Sequence, residues 1–245
     1  MRAQFSQYAT GLACCLLLTA CAAPGTRLVT VPRVALDADR QIERPILRSG
    51  QQWHFRRTDL WRNSVRERFE QELSGKMGEH WLLNWRITQS DESERQGSVS
   101  SESLDDTTHA FLDGRYEGRH MPLSFPLQPG KRWTFSYGYH PAAGRATQVE
   151  QTAEVIGWEY ISVPAGGFRA LKVVHRGRYR ATEGIYTWNG NIFETYWYAP
   201  EAGRVVKMEY RDTQANGVTW DWWRDELVAM KRQEPVGLDQ VPTGS

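Results

Sequence analysis

In Trp133-Thr134-Phe135-Ser136-Tyr137-Gly138-Tyr139-His140 every odd position is aromatic and every even one is small or polar. Successive side chains of a strand point to opposite faces, so this two-residue period predicts a β-strand with one aromatic face. A helix would scatter the same rings around its circumference. Trp53-His54-Phe55-Arg56 begins in the same way. Aligning Ser49-Gly50-x-x-Trp53-x-Phe55 with Pro129-Gly130-x-x-Trp133-x-Phe135 gives a spacing of 80 residues. In that register Phe69-Glu70 falls on Val149-Glu150, and Trp81 to Trp85 lies near Phe168 to Val173 after a small shift. A degenerate internal duplication is expected.

Other segments extend the β pattern, with turn residues recurring between short runs of Trp, Tyr, Phe and Val. Val155 to Ile161 leads through Val163-Pro164-Ala165-Gly166-Gly167-Phe168 into Ala170 to Tyr179, and Pro164 presets φ for the turn. Ile192 to Tyr198, Arg204 to Asp212 and Val218 to Arg224 follow, with Asn216-Gly217 a hairpin signal before the last run. Asp225 to Lys231 either adds a helical turn or ends the strand. Trp61, Val65, Phe69 and Leu73 recur every four residues as on an amphipathic helix, but the last three also share one strand face, and strand is the reading taken. Residues 88–109 are polar, with only Val99 and Leu104 aliphatic, and suit exposed hairpin strands or a long loop. The expected fold is all-β: an antiparallel meander, with two duplicated half-sheets forming a curved sheet, a sandwich or an open barrel. The expected division is residues 47–128 as a first β unit, 129–231 as a second, and 232–245 as a loose tail.

Apart from its aromatic content, the chain excludes more than it points to. Lys and Arg number 30 and Asp and Glu 29; residues 1–20 hold one Arg and no acid, so the remainder balances at 29 against 29. No bulk charge recruits nucleic acid or anionic lipid. All three Cys lie at 14, 15 and 21, which leaves the folded part no disulfide and no thiolate chemistry. The eleven Trp, ten Tyr and eight Phe suit half-buried sheet surfaces.

The start of the chain carries a targeting signal. One basic side chain, Arg2, precedes the apolar run Leu12 to Leu18, too short to span a bilayer as a helix, and Leu18-Thr19-Ala20-Cys21 closes it. This combination resembles a bacterial lipoprotein signal peptide, residues 1–20, with its lipobox. The resemblance implies cleavage before Cys21, lipid attached to Cys21, and stable anchoring by two or more acyl chains. Ala22 in place of Asp after the Cys implies transfer to the outer membrane, with the protein on its periplasmic side. Residues 21–46, with three Pro and no sustained apolar period, then serve as a tether. Val29, Val31, Val34 and Leu36 could dock as an edge segment, weakened by Pro32.

Residues 125–212 carry a second resemblance. Val163-Pro164-Ala165-Gly166-x-Phe168-x-Ala170-x-Lys172-Val173, followed by Glu194-Thr195-Tyr196-Trp197-Tyr198-Ala199-Pro200-x-x-Gly203-x-Val205, resembles a recurrent pattern in uncharacterised bacterial envelope β-proteins. These motifs describe turns and strands, so the resemblance implies a fold and no activity.

Neither Gly-x-Ser-x-Gly nor Ser-x-x-Lys occurs, nor a Gly-rich phosphate loop. The six His show no metal-ligand spacing, and His54 and His140 fall opposite the aromatic faces. Asp91-Glu92 and Asp105-Asp106 sit in the most polar stretch, where a carboxyl stays an ordinary acid. No catalytic residue, metal site or cofactor is assigned. The candidate binding residues are Tyr196, Trp197 and Tyr198 with Trp220, Trp222 and Trp223, since aromatics occupy both faces of these two strands. Arg211 and Arg224 are added because they can stack on the rings or meet an anionic headgroup.

The expected function is a membrane-anchored binding or envelope-support protein without catalytic activity, its partner an envelope protein, the cell wall or a lipid. The alternatives are a carrier that shields a lipid or other amphiphile in an aromatic-lined cavity, and a hydrolase whose site is dispersed over several strands.

Overall fold

The computed structural model describes residues 40–77, 80–89, 94–103, 114–141 and 144–231. The signal peptide, Cys21, the edge segment Val29 to Leu36, the acidic pairs at 91–92 and 105–106 and the tail from 232 lie outside the described residues.

Eleven strands are formed: β1 (Gln52–Asp59), β2 (Ser64–Met77), β3 (His80–Gln89), β4 (Glu94–Ser103), β5 (Gly114–Gly118), β6 (Arg132–Pro141), β7 (Ala146–Val163), β8 (Gly166–Glu183), β9 (Tyr186–Ala199), β10 (Arg204–Gln214) and β11 (Thr219–Lys231). They make one antiparallel sheet in the order β4-β3-β2-β1-β11-β10-β9-β8-β7-β6-β5. Each strand pairs with its neighbour in sequence, except that β1 lies against β11 and no ladder joins β4 to β5 among the described residues. The sheet is therefore an open meander and not a closed barrel. The chain enters and leaves at its middle. Strand is the correct reading of residues 64–77, and Asp225 to Lys231 prolongs β11 beside β1. Residues 94–103, in the polar stretch, form the edge strand β4 on β3.

The two halves of the proposed repeat begin alike. Gly50 and Gly130 both have φ near +82°, at +82° and +83°, a conformation open to glycine. Each donates its N–H to a residue of the second strand, Leu73 and Val155, at 2.7 and 2.8 Å, and the return bonds run from those residues to Gln51 and Lys131. Both second strands then bulge, between Leu73 and Gly75 and between Val155 and Gly157. The first strands are 80 residues apart, but 73 and 155 are separated by 82, because Trp53 pairs with Gln71 and Trp133 with Ala153. A two-residue offset preserves the faces of a strand.

Two apolar cores lie on this sheet. One is built on β6–β9 from Phe135, Tyr137, Val149, Val155, Leu171, Val173, Tyr179, Ile192, Tyr196 and Tyr198, with Ile42 and Leu127 closing it. Ile42 and Leu127 exchange backbone hydrogen bonds of 2.7 and 2.8 Å, so the end of the 21–46 segment is fastened to the fold. The other packs Trp53, Phe55, Phe69, Leu73, Trp81 and Leu83 of β1–β3 against Val163, Phe168, Ala170 and Trp197. The tip of the long β7–β8 hairpin brings Val163, Phe168 and Ala170 there, Trp197 comes from β9, and the Ala165 N–H donates to the Leu227 carbonyl on β11 at 3.0 Å.

Candidate functional site

Inward-facing side chains from β1, β2, β3 and β6 to β11 line one cavity of about 400 Å³, so the sheet curls around it. This volume falls in the range of small-molecule sites. Phe55, Phe69 and Trp85 form one wall, and Tyr137, Val149, Tyr179, Ile192, Tyr196 and Tyr198 the other. Met208, Tyr210 and Trp223 of β10 and β11 lie between them. Two non-strand segments contribute as well, Arg44 to Leu47 and Pro122 to Phe125, the second with Phe125 edge-on to Tyr198 at 5.3 Å.

Strand alternation divides the predicted residues. Tyr196, Tyr198 and Trp223 line the cavity. Trp197, between the two tyrosines, points the other way into the second core, donates Nε1–H to Glu159 at 2.8 Å, and has the Lys207 ammonium 4.2 Å from its ring centre. Trp220 and Trp222 are on the outer face, 61% and 38% exposed. Arg211 lies over the Phe193 ring at 5.0 Å, and Arg224 donates to Glu209 at 2.9 Å, both outside the cavity. Cys21 lies outside the described residues. His54 and His140 are part-exposed, beside Glu70 and Glu117.

Sequence reasoning missed the polar groups of the cavity. Glu194 is buried and accepts a hydrogen bond from Gln151 at 2.8 Å, with His175 Nδ1 3.3 Å away. His175 is itself fully buried, its Nε2 3.0 Å from the Pro122 carbonyl. Burial favours the neutral acid, but the His175 hydrogen bond and charge, His120 and Gln151 outweigh it and hold Glu194 below the ordinary glutamate value. On the opposite side Arg57 makes two parallel bonds to Asp225, at 2.7 and 2.8 Å, and one to Glu67 at 2.7 Å. Its guanidinium lies 3.8 Å from the centre of the Trp223 ring. Asp225 is pushed up by burial against the pull of Arg57. Asp212 is also raised by burial; it accepts the Asp221 N–H at 2.9 Å and the Tyr210 hydroxyl at 3.3 Å. Burial pushes the Tyr210 phenol well above its usual value, so it remains a donor.

The cavity thus joins a predominantly aromatic wall to a few fixed charges. Arg145 reaches it from the β6–β7 turn with no hydrogen bond or ion pair among the described residues; its closest ring contact is Trp188 at 6.0 Å. Such a site suits a ligand with an apolar body and an anionic end. His120, Asp212 and Asp225 line the same cavity, a histidine and aspartates within one concave surface. Local sequence gives no sign of these groupings, since Gln151, His175 and Glu194 meet only through the pairing of β7, β8 and β9.

No family model matches the chain, and no curated protein matches it. Three solved structures show a similarity to the chain. A protein described as exported and of YmcC-like fold, from Bacteroides fragilis, is 14% identical, with a TM-score of 0.52 over 79% of this chain and 100% of its own. One described as a lipoprotein from Parabacteroides distasonis is 14% identical, with a TM-score of 0.50 over the same shares. The hypothetical lipoprotein YmcC from Escherichia coli is 13% identical, with a TM-score of 0.35 over 76% of this chain and 86% of its own. At these identities the first two likenesses concern the fold alone.

Proposed function

We propose that this chain is a lipoprotein of the bacterial outer membrane, facing the periplasm and held through Cys21, which binds an amphiphile in its cavity without chemical turnover. The observation that carries the binding role is the aromatic cavity itself, with Tyr196, Tyr198 and Trp223 on its wall and Arg145 at its end. Anchoring rests on the lipobox Leu18-Thr19-Ala20-Cys21, and is supported by the fold shared with a protein described as a lipoprotein. The mass of the chain purified from its native host tests it, an uncut and unmodified product being the adverse result.

Cavity binding is tested on the chain starting at Ala22, by native mass spectrometry for co-purified lipid and by titration with laurate. Met208→Trp, which fills the cavity, is expected to abolish occupancy, and Trp222→Ala, on the outer face, to leave it unchanged. Equal occupancy in the parent and Met208→Trp would place any binding elsewhere. A second reading, hydrolysis, is favoured only by His120, Asp212 and Asp225 lining one cavity. Those aspartates are already engaged by Arg57, Tyr210 and the Asp221 amide, and conversion of a bound ester by the parent but not by a His120→Gln variant would support this reading.

A further inference from the structure

Antiparallel pairing places the β1–β2, β6–β7, β8–β9 and β10–β11 turns at one end of the sheet: Asp59 pairs with Trp223, Tyr139 with Thr147, Gly190 with Gln214 and Thr213 with Thr219. Ten large hydrophobic residues are exposed among the described residues, and six of them lie at this end. They are Trp61 on the β1–β2 turn, Ile185 on the β8–β9 turn, Tyr186 at the start of β9, Val218 before β11, and Trp220 and Trp222 at the start of β11, from 38% to 91% exposed. The β8–β9 turn projects four residues beyond the end of β10, about 14 Å of strand. Trp61 is held outward by its turn: the N–H groups of Trp61 and Arg62 both donate to Asp59 Oδ1, at 2.9 and 3.1 Å, and Arg66 grips the other oxygen at 3.2 Å.

Basic groups share this end. Arg62 is 82% exposed, and Arg180 and Arg211 are exposed on the outer face; the acids at this end among the described residues are Asp59 and Asp221, both held by Arg66, Glu67, held by Arg57, Glu183, and Glu94 at the start of β4. Exposed Trp and Tyr at turn tips, beside Arg, match the chemistry of a membrane–water interface, where amphipathic rings settle at headgroup level and cations meet anionic lipid. The geometry points to this turn end as a docking surface for an anionic bilayer. The eighteen residues 22–39 would span about 60 Å fully extended, so a lipid anchor at Cys21 would not prevent this end from facing the membrane. The cavity reaches the same end through Tyr139, Arg145 and Thr147, which would set its mouth near the lipid.

The surface is independent of what the cavity binds, and its test uses the chain starting at Ala22, which has no lipid anchor. Sedimentation with vesicles of phosphatidylethanolamine, with and without phosphatidylglycerol, should show binding that requires the anionic lipid and weakens with salt. Brominated acyl chains should quench tryptophan fluorescence. The triple variant Trp61→Ser, Trp220→Ser, Trp222→Ser, with its thermal unfolding checked, should bind at least about tenfold more weakly. A second variant on a separate hairpin, Ile185→Ser with Tyr186→Ser, should weaken binding too. Absence of vesicle binding by the parent, as for a surface that meets a protein instead, or parent-like binding by both variants, overturns the proposal. Laurate occupancy measured on the same samples reports on the cavity separately.

Discussion

Glu194 shows how a single buried charge can be kept. Alone, a carboxylate with 5% exposure would neutralise, but Gln151 and His175 satisfy it and His120 adds to the favourable field. Its folded pKa lies below the ordinary value of 4.5, so it stabilises the fold above the unfolded pKa, and that contribution is lost as pH falls through the depressed folded value. Asp59 and Glu159 are also held low and act in the same sense. Asp212 and Asp225 are raised by burial and act oppositely, since the folded chain takes up their protons more readily. Urea unfolding followed from neutral to acidic pH should therefore show a shallower acid limb in Glu194→Gln. The same change should cost about 1–3 kcal/mol at neutral pH, through weaker hydrogen bonds to the carboxylate. An acid limb as steep as the parent's would mean that Glu194 does not carry this dependence.

At the scale of elements, close strand packing depends on two glycines without side chains. A Cβ at Gly190 would overlap the Thr213 carbonyl oxygen and the Tyr179 ring, which lies across its cross-strand partner; at Gly177 it would overlap the Glu150 carbonyl oxygen and Gln151. Gly190→Ala should destabilise by about 1–3 kcal/mol and displace Tyr179 from the cavity wall, lowering laurate affinity. Gly177→Ala should carry the stability cost, and a Gly190→Ala protein with parent stability would show that the sheet yields there. Strand β6 was legible because the alternation in Trp133 to Tyr139 is a local pattern. Residues 61–73 were harder, since a spacing of four suits one helix face and is also twice the strand period; Asn63, at a φ of +51°, marks the turn from which β2 starts. The cavity was not legible. Tyr196 and Tyr198 could be picked out but not separated in role from Trp197, and His175 and Glu194 gained their meaning only from a register that joins distant segments.

The whole sheet depends on one non-local seam. Consecutive strands are joined mostly by short turns, but β1 meets β11 across residues such as Arg57 and Asp225, a separation of 168. Closing that loop costs about 3 kcal/mol more entropy than closing a hairpin of four residues. The hairpins β7–β8 and β8–β9 can therefore form before the seam, and the seam should be absent from much of the folding transition state. Leu227 lies on the seam opposite Phe55 with no exposure, and Val173 lies in β8 with none either. Leu227→Ala should cost about 2–5 kcal/mol, Val173→Ala a similar or smaller amount. Stopped-flow unfolding and refolding in urea distinguishes them: Leu227→Ala should raise the unfolding rate and leave refolding nearly unchanged, whereas Val173→Ala should slow refolding. If Leu227→Ala slows refolding as much as Val173→Ala does for equal loss of stability, the seam forms with the hairpins, and the two apolar cores condense together.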